Sequence, residues 1–79
     1  MFVKINTKAD VSVSIAHYVN LNTVEDIVLV KEKDWKDDHY YAVVLYTRDG
    51  SEVKEIYNTE EEACSRIKYL LSLVKVDAI

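Results

Sequence analysis

Hydrophobic and polar positions along this chain follow two different periods, and the change from one to the other marks where strands give way to a helix. Tyr40-Tyr41-Ala42-Val43-Val44-Leu45-Tyr46-Thr47 is almost wholly aromatic, aliphatic or β-branched, the composition of a strand covered on both faces. Arg48-Asp49-Gly50 follows, and the only glycine of the chain stands where a hairpin loop needs positive φ. A return strand is expected from Ser51 to Tyr57. A two-residue Asp49-Gly50 loop pairs Tyr46 with Val53, whereas a three-residue loop with Gly50 in a bulge pairs Leu45 with Val53; both are open, and the second is preferred.

The period then lengthens. Thr59 and Glu62 stand at capping-box spacing, each able to satisfy the other's backbone amide, and Glu60, Glu61 and Glu62 suit the positive end of a helix dipole. A helix over 59–74 follows, with Ala63, Ile67, Leu70, Leu71 and Val74 on one face and Arg66, Lys68 and Lys75 on the wet side. Tyr69 and Leu73 widen the apolar arc.

Upstream, Met1 to Thr7 reads as a first strand. Val11, Val13, Ile15, His17 and Val19 alternate with Ser12, Ser14, Ala16, Tyr18 and Asn20, so a second strand has one dry face and one wet face. His17 falls on the dry face and is expected to be a partly buried structural residue. Asn20-Leu21-Asn22-Thr23 reads as a turn, and Val24 to Val30 as a strand apolar on both faces in its second half. Lys31 to His39 is a charged connection, expected to be a long hairpin loop, with Trp35 in its middle. The predicted fold class is α+β: an antiparallel, strongly twisted sheet of about five strands with one C-terminal α-helix packed on it, in a single domain over 1–79.

Charge and cysteine content narrow the partners. The net charge is −4, but residues 32–62 carry ten acids against four bases, while 1–31 balance and 63–79 are net basic. A nucleic-acid binder depends on neutralising phosphates, so nucleic acid is not an expected partner. Cys64 is the only cysteine, which excludes an intrachain disulfide and a multi-cysteine zinc site and suits a small buried side chain. The opening Met-Phe-Val-Lys-Ile-Asn is too short and polar for a signal peptide, and no apolar run approaches membrane-spanning length. The expected location is cytoplasmic, without a membrane partner.

Chemistry-bearing constellations are weak. Asp37, Asp38 and His39 are consecutive, point different ways and lack calcium-loop spacing, so they read as a solvated charge run. No catalytic residue, metal site or cofactor is assigned. Trp35 has two readings: a lid folded over the sheet edge, which is the preferred one, or an anchor filling a partner's pocket, with Lys33, Asp34, Lys36, Asp37 and Asp38 tuning encounter and partner choice.

The run Val19-Asn20-Leu21-Asn22-Thr23-Val24-Glu25-Asp26-Ile27, then Tyr41 to Tyr46, Asp49-Gly50 and Thr59-Glu60-Glu61-Glu62-Ala63, resembles a pattern found in small bacterial and phage proteins. The layout is similar to that of the small flagellar regulator FlbD family. The matched positions are turn, cap and core residues, so the resemblance implies shared architecture. The Asn-Gly turn of the flagellar family is missing, and flagellar function is not carried over.

The function expected from all this is a small non-catalytic protein-binding module, of the kind phages and mobile elements use as accessory or inhibitor proteins against a host protein. One alternative is a small-ligand binder or minor enzyme using a sheet-helix crevice and His17. Another is an acidic mimic of nucleic acid. A homodimer is also expected, because one helix covers only one face of a sheet whose strands are apolar on both.

Overall fold

The computed structural model describes residues 1–5 and 17–74. Within them run β1 (Phe2–Lys4), β2 (Tyr18–Asn20), a 3-10 turn (Leu21–Thr23), β3 (Val24–Lys33), β4 (His39–Thr47), β5 (Glu52–Tyr57) and α1 (Glu60–Leu73). The class is α+β, with five antiparallel strands and one C-terminal helix. The strands do not form one sheet, however: β1 pairs with β2, and β3-β4-β5 form a second sheet. The break falls at Asn20. Its side chain accepts from the Asn22 amide at 3.1 Å, and its carbonyl accepts the Thr23 hydroxyl at 2.8 Å. The turn so capped redirects the chain, and β3 finds β4 as its ladder partner. The expected alternating strand lies mostly outside the described residues. Only its last turn of alternation is seen, with Val19 buried and Tyr18 exposed.

Both hairpins of the larger sheet use three-residue loops. Thr47 N–H donates to Ser51 O at 2.9 Å and Gly50 N–H donates to Thr47 O at 3.1 Å, with Gly50 at φ 89°. Leu45 therefore pairs with Val53, the preferred register. The first hairpin repeats this geometry, so the expected long loop over 31–39 is replaced by strand as far as Lys33 and again from His39. A polar, charged segment can still be a ladder where one face is wet, which is why its composition misled.

Two faces follow from the registers. Ile27 and Leu29 of β3, Tyr41, Val43 and Leu45 of β4, and Val53, Glu55 and Tyr57 of β5 lie on the helix side. Val43, Leu45, Ala63 and Leu70 are fully buried there, joined by Val3, Ile5, Val19 and Leu21 from the smaller sheet and its turn. The helix begins at its Thr59 cap, which accepts from the Glu62 amide at 3.2 Å. The Glu62 carboxylate meets the Thr59 hydroxyl at 3.0 Å, where a capping box would have it reach the Thr59 amide. Leu71, expected in the apolar stripe, is 49% exposed, while Ile67, Leu73 and Val74 pack against the core.

On the opposite face Ala42 and Val44 are also buried, and among the described residues no helix lies above them. Lys54 of β5 donates to Glu32 of β3 at 3.0 Å, and the Tyr40 hydroxyl donates to the other Glu32 oxygen. This polar strap crosses β4 diagonally over the row Val30, Ala42, Ile56. The lysine stem and tyrosine ring lend apolar cover while their polar ends stay wet.

Candidate functional site

The residues singled out at the charged connection come together at the tip of the β3-β4 hairpin. Lys33 closes β3 opposite His39, and Asp34 opens the turn. Asp34 N–H donates to Asp38 O at 2.9 Å, and Asp37 N–H donates back to Asp34 O at 3.1 Å. The Asp34 carboxylate accepts from the amides of Lys36 at 2.8 Å and Asp38 at 3.0 Å. A short acidic side chain that bonds its own downstream backbone holds a turn in one shape. Asp37 takes the remaining strained position at φ 64°, which aspartate tolerates better than most residues.

Trp35 stands at the apex of this pinned turn and is 89% exposed. It covers no part of the sheet, so the lid reading is corrected. Lys36 Nζ lies 4.9 Å from the centre of the indole ring, a cation–π distance at an exposed site. The tip thus presents a large apolar plate on a short fixed turn, with Asp37 and Asp38 exposed beside it.

Sequence reasoning missed a buried ion pair. Glu55 is fully buried, and Arg66, read as a wet-side residue, reaches it with Nε at 3.0 Å and Nη2 at 3.0 Å. The same Nη2 donates to the Lys4 carbonyl at 2.7 Å, and the Tyr57 hydroxyl donates to Glu55 at 3.1 Å. Burial opposes the arginine charge, but the carboxylate outweighs it, and the guanidinium is held charged above its ordinary range. A signal was present in the chain: Glu55 shares strand parity with Val53 and Tyr57, so an inward carboxylate required a partner. This cluster ties the helix, β5 and β1 together and faces inward, which makes it a structural centre.

A cleft of about 420 Å³ is lined by residues that include His17, Tyr18, Thr47, Arg48, Asp49 and Ser51. His17 is exposed, contrary to its expected dry-face position, because β2 begins only at Tyr18. Asp49 accepts from the Thr47 hydroxyl and from Ser51 N–H at 3.0 Å. Those bonds, the hydroxyl first, hold its carboxyl below the usual range. Arg48 is directed to Glu25 at 3.7 Å and to the Asn22 carbonyl at 3.4 Å. Much of the polar lining is therefore engaged within the turn itself.

Acidic groups between 32 and 62 do not form one open row. Glu32 is strapped to Tyr40 and Lys54, and Glu55 is buried against Arg66. Cys64 is half-buried rather than enclosed. Among the described residues no group of three or more histidine, cysteine or acidic side chains is placed to hold a metal ion, and no helix is long and apolar enough to cross a membrane. No family model matches this chain, and no curated sequence or solved structure matches it either.

Proposed function

We propose that this protein acts by binding another protein through the tip of its β3-β4 hairpin, without catalysis. The observation that carries the reading is the placement of Trp35, 89% exposed at the apex of a turn pinned by Asp34. A folded chain gains nothing in its own core from such a residue. A partner that buries it gains a large apolar contact at little ordering cost, because the turn is already held. Lys33, Asp34, Lys36, Asp37 and Asp38 surround the anchor. Asp34 is spent on the turn, so Lys33, Lys36, Asp37 and Asp38, all exposed, supply mixed outward charge, and the fitting partner surface is an apolar pocket with a rim of mixed charge.

The test uses the intact protein as bait, wild type against Trp35→Ala, with a captured partner then titrated by calorimetry. Binding should weaken by about 2 kcal/mol or more, while the melting temperature stays unchanged. A variant that melts earlier and binds normally would move the site elsewhere. A second reading, a small-ligand site in the cleft beside His17, has its volume in favour, since about 420 Å³ lies within the range of ligand pockets. It predicts a ligand-induced rise in melting temperature that His17→Ala abolishes and Trp35→Ala does not.

A further inference from the structure

A different surface, the outer edge of β3, has the properties of a strand waiting for another strand. The hydrogen-bond parity is set by the turn: Asp34 bonds across to Asp38, so Glu32, Val30 and Val28 direct their backbone groups to β4. Ile27, Leu29, Lys31 and Lys33 direct theirs outward. Among the described residues β3 is an edge of its sheet, and no backbone partner meets those four positions. The edge is ten residues long and its centre, Ile27-Val28-Leu29-Val30, carries no charge. Natural edges of this length are usually guarded. Here the irregularity between Val24 and Asp26, and the lysines at 31 and 33, guard only the two ends.

We infer that this edge pairs with the same edge of a second copy, antiparallel, about a two-fold axis at Val28. Only like-parity positions can bond, so a central two-fold falls at Val28, Leu29 or Val30. At Leu29 the pairing sets Asp26 against Glu32, though also Glu25 near Lys33, and at Val30 it sets Asp26 against Asp34, each twice over. At Val28 it sets Ile27 against Leu29 and Val28 against Val28, and brings Lys31 opposite Glu25, the extra residue in the irregularity between Val24 and Asp26. That register removes both like-charge oppositions and keeps the acidic end of one strand, Glu25 and Asp26, beside the basic end of the other, Lys31 and Lys33, around an apolar centre. Glu25 is available for it, since its contact with Arg48 is a loose 3.7 Å between exposed side chains. The helices do not obstruct the union. α1 lies mainly over β4, and three strand spacings separate β4 from its mate, roughly 14 Å, more than packed helices require. The product is a six-stranded sheet with both helices on one side.

The experiment is sedimentation equilibrium on the full chain from micromolar to millimolar concentration. Wild type should dimerise. Val28→Lys places two lysines face to face at the axis and should raise the dimer dissociation constant by at least about tenfold. Lys31→Glu should also weaken the dimer, by setting glutamates against Glu25, and the double swap Glu25→Lys with Lys31→Glu should restore it. Circular dichroism melts of each variant establish that the monomers stay folded, since Val28, Glu25 and Lys31 are all exposed. A wild type that is monomeric throughout overturns the inference and leaves the edge for a strand of different origin. A dimer indifferent to Val28→Lys, or a double swap as weak as Lys31→Glu, overturns it too. Trp35→Ala should leave this equilibrium unchanged, so the two proposals stand or fall separately.

Discussion

Asp37 and Gly50 occupy the same position in two turns of the same build. Each is the last residue of a three-residue loop, each has positive φ (64° and 89°), and each donates its amide to the residue opening the turn, Asp34 or Thr47. In each turn an aspartate carboxylate caps downstream amides: Asp34 those of Lys36 and Asp38, and Asp49 that of Ser51. One turn meets the strain with glycine and the other with an acidic residue. Equivalent substitutions should therefore act with opposite sign. Gly50→Ala should cost about 1 kcal/mol, although nothing lies within 4 Å of an added Cβ. Asp37→Gly should gain roughly 0.5 kcal/mol by relieving the left-handed strain. Urea unfolding of both variants measures the pair, and a loss of stability in Asp37→Gly would contradict the shared geometry.

The Glu55 and Arg66 pair makes a second measurable claim. Removing one partner of a buried pair leaves the other charge without compensation, so Arg66→Ala should cost about 3 kcal/mol. The double variant Glu55→Met with Arg66→Leu should cost less than Arg66→Ala alone, because it removes the stranded charge together with its partner. The guanidinium also lies 5.4 Å from the centre of the Tyr69 ring, and a double-mutant cycle with no coupling between Glu55 and Arg66 would show that the arginine acts only through that contact and its bond to Lys4.

The helix face can be mapped by truncation. Leu70 is fully buried and Leu71 is 49% exposed. Leu70→Ala should cost about 2 to 5 kcal/mol, and Leu71→Ala within about 0.5 kcal/mol. Ile67→Ala, half-buried, should fall between them. Equal losses at Leu70 and Leu71 would mean that the helix is rotated from the position described.

Acid should loosen the strap across the back of the sheet. The Tyr40 hydroxyl, and after it Lys54, hold the Glu32 carboxyl below its ordinary range. A carboxyl lowered in the folded state contributes stability that is complete above its unfolded value and disappears as pH falls through the folded value. On the alkaline side Tyr40 and Lys54 are both raised, principally by their bonds to Glu32. Their contribution is complete below their ordinary values and is lost as pH rises through the folded ones. Glu32→Gln should therefore flatten both limbs of the stability profile relative to wild type. Parallel profiles for the two proteins, measured by thermal melts across pH, would count against the strap.

What the chain determined alone was local. The β-branched run at 40–47, the glycine after Asp49 and the threonine three residues before Glu62 act through sterics and bonds within a few residues. These set β4, the second hairpin and the start of α1, while of the two registers open at Asp49-Gly50 the ladder has Leu45 with Val53. What only the tertiary structure decided were the questions of which elements meet. The helix stripe read as Ala63, Ile67, Leu70, Leu71 and Val74 is turned so that Arg66 and Leu73 flank it inward and Leu71 faces water. In that position the guanidinium bonds both Glu55 and the Lys4 carbonyl, partners on two other elements that no local pattern names. The first hairpin hid its turn because aspartate at positive φ leaves no mark as clear as glycine. Composition left Trp35 open to a lid or an anchor, with the lid preferred; its place at the apex is set by ladder pairing between residues distant in sequence, which carries β3 to Lys33 and starts β4 at His39.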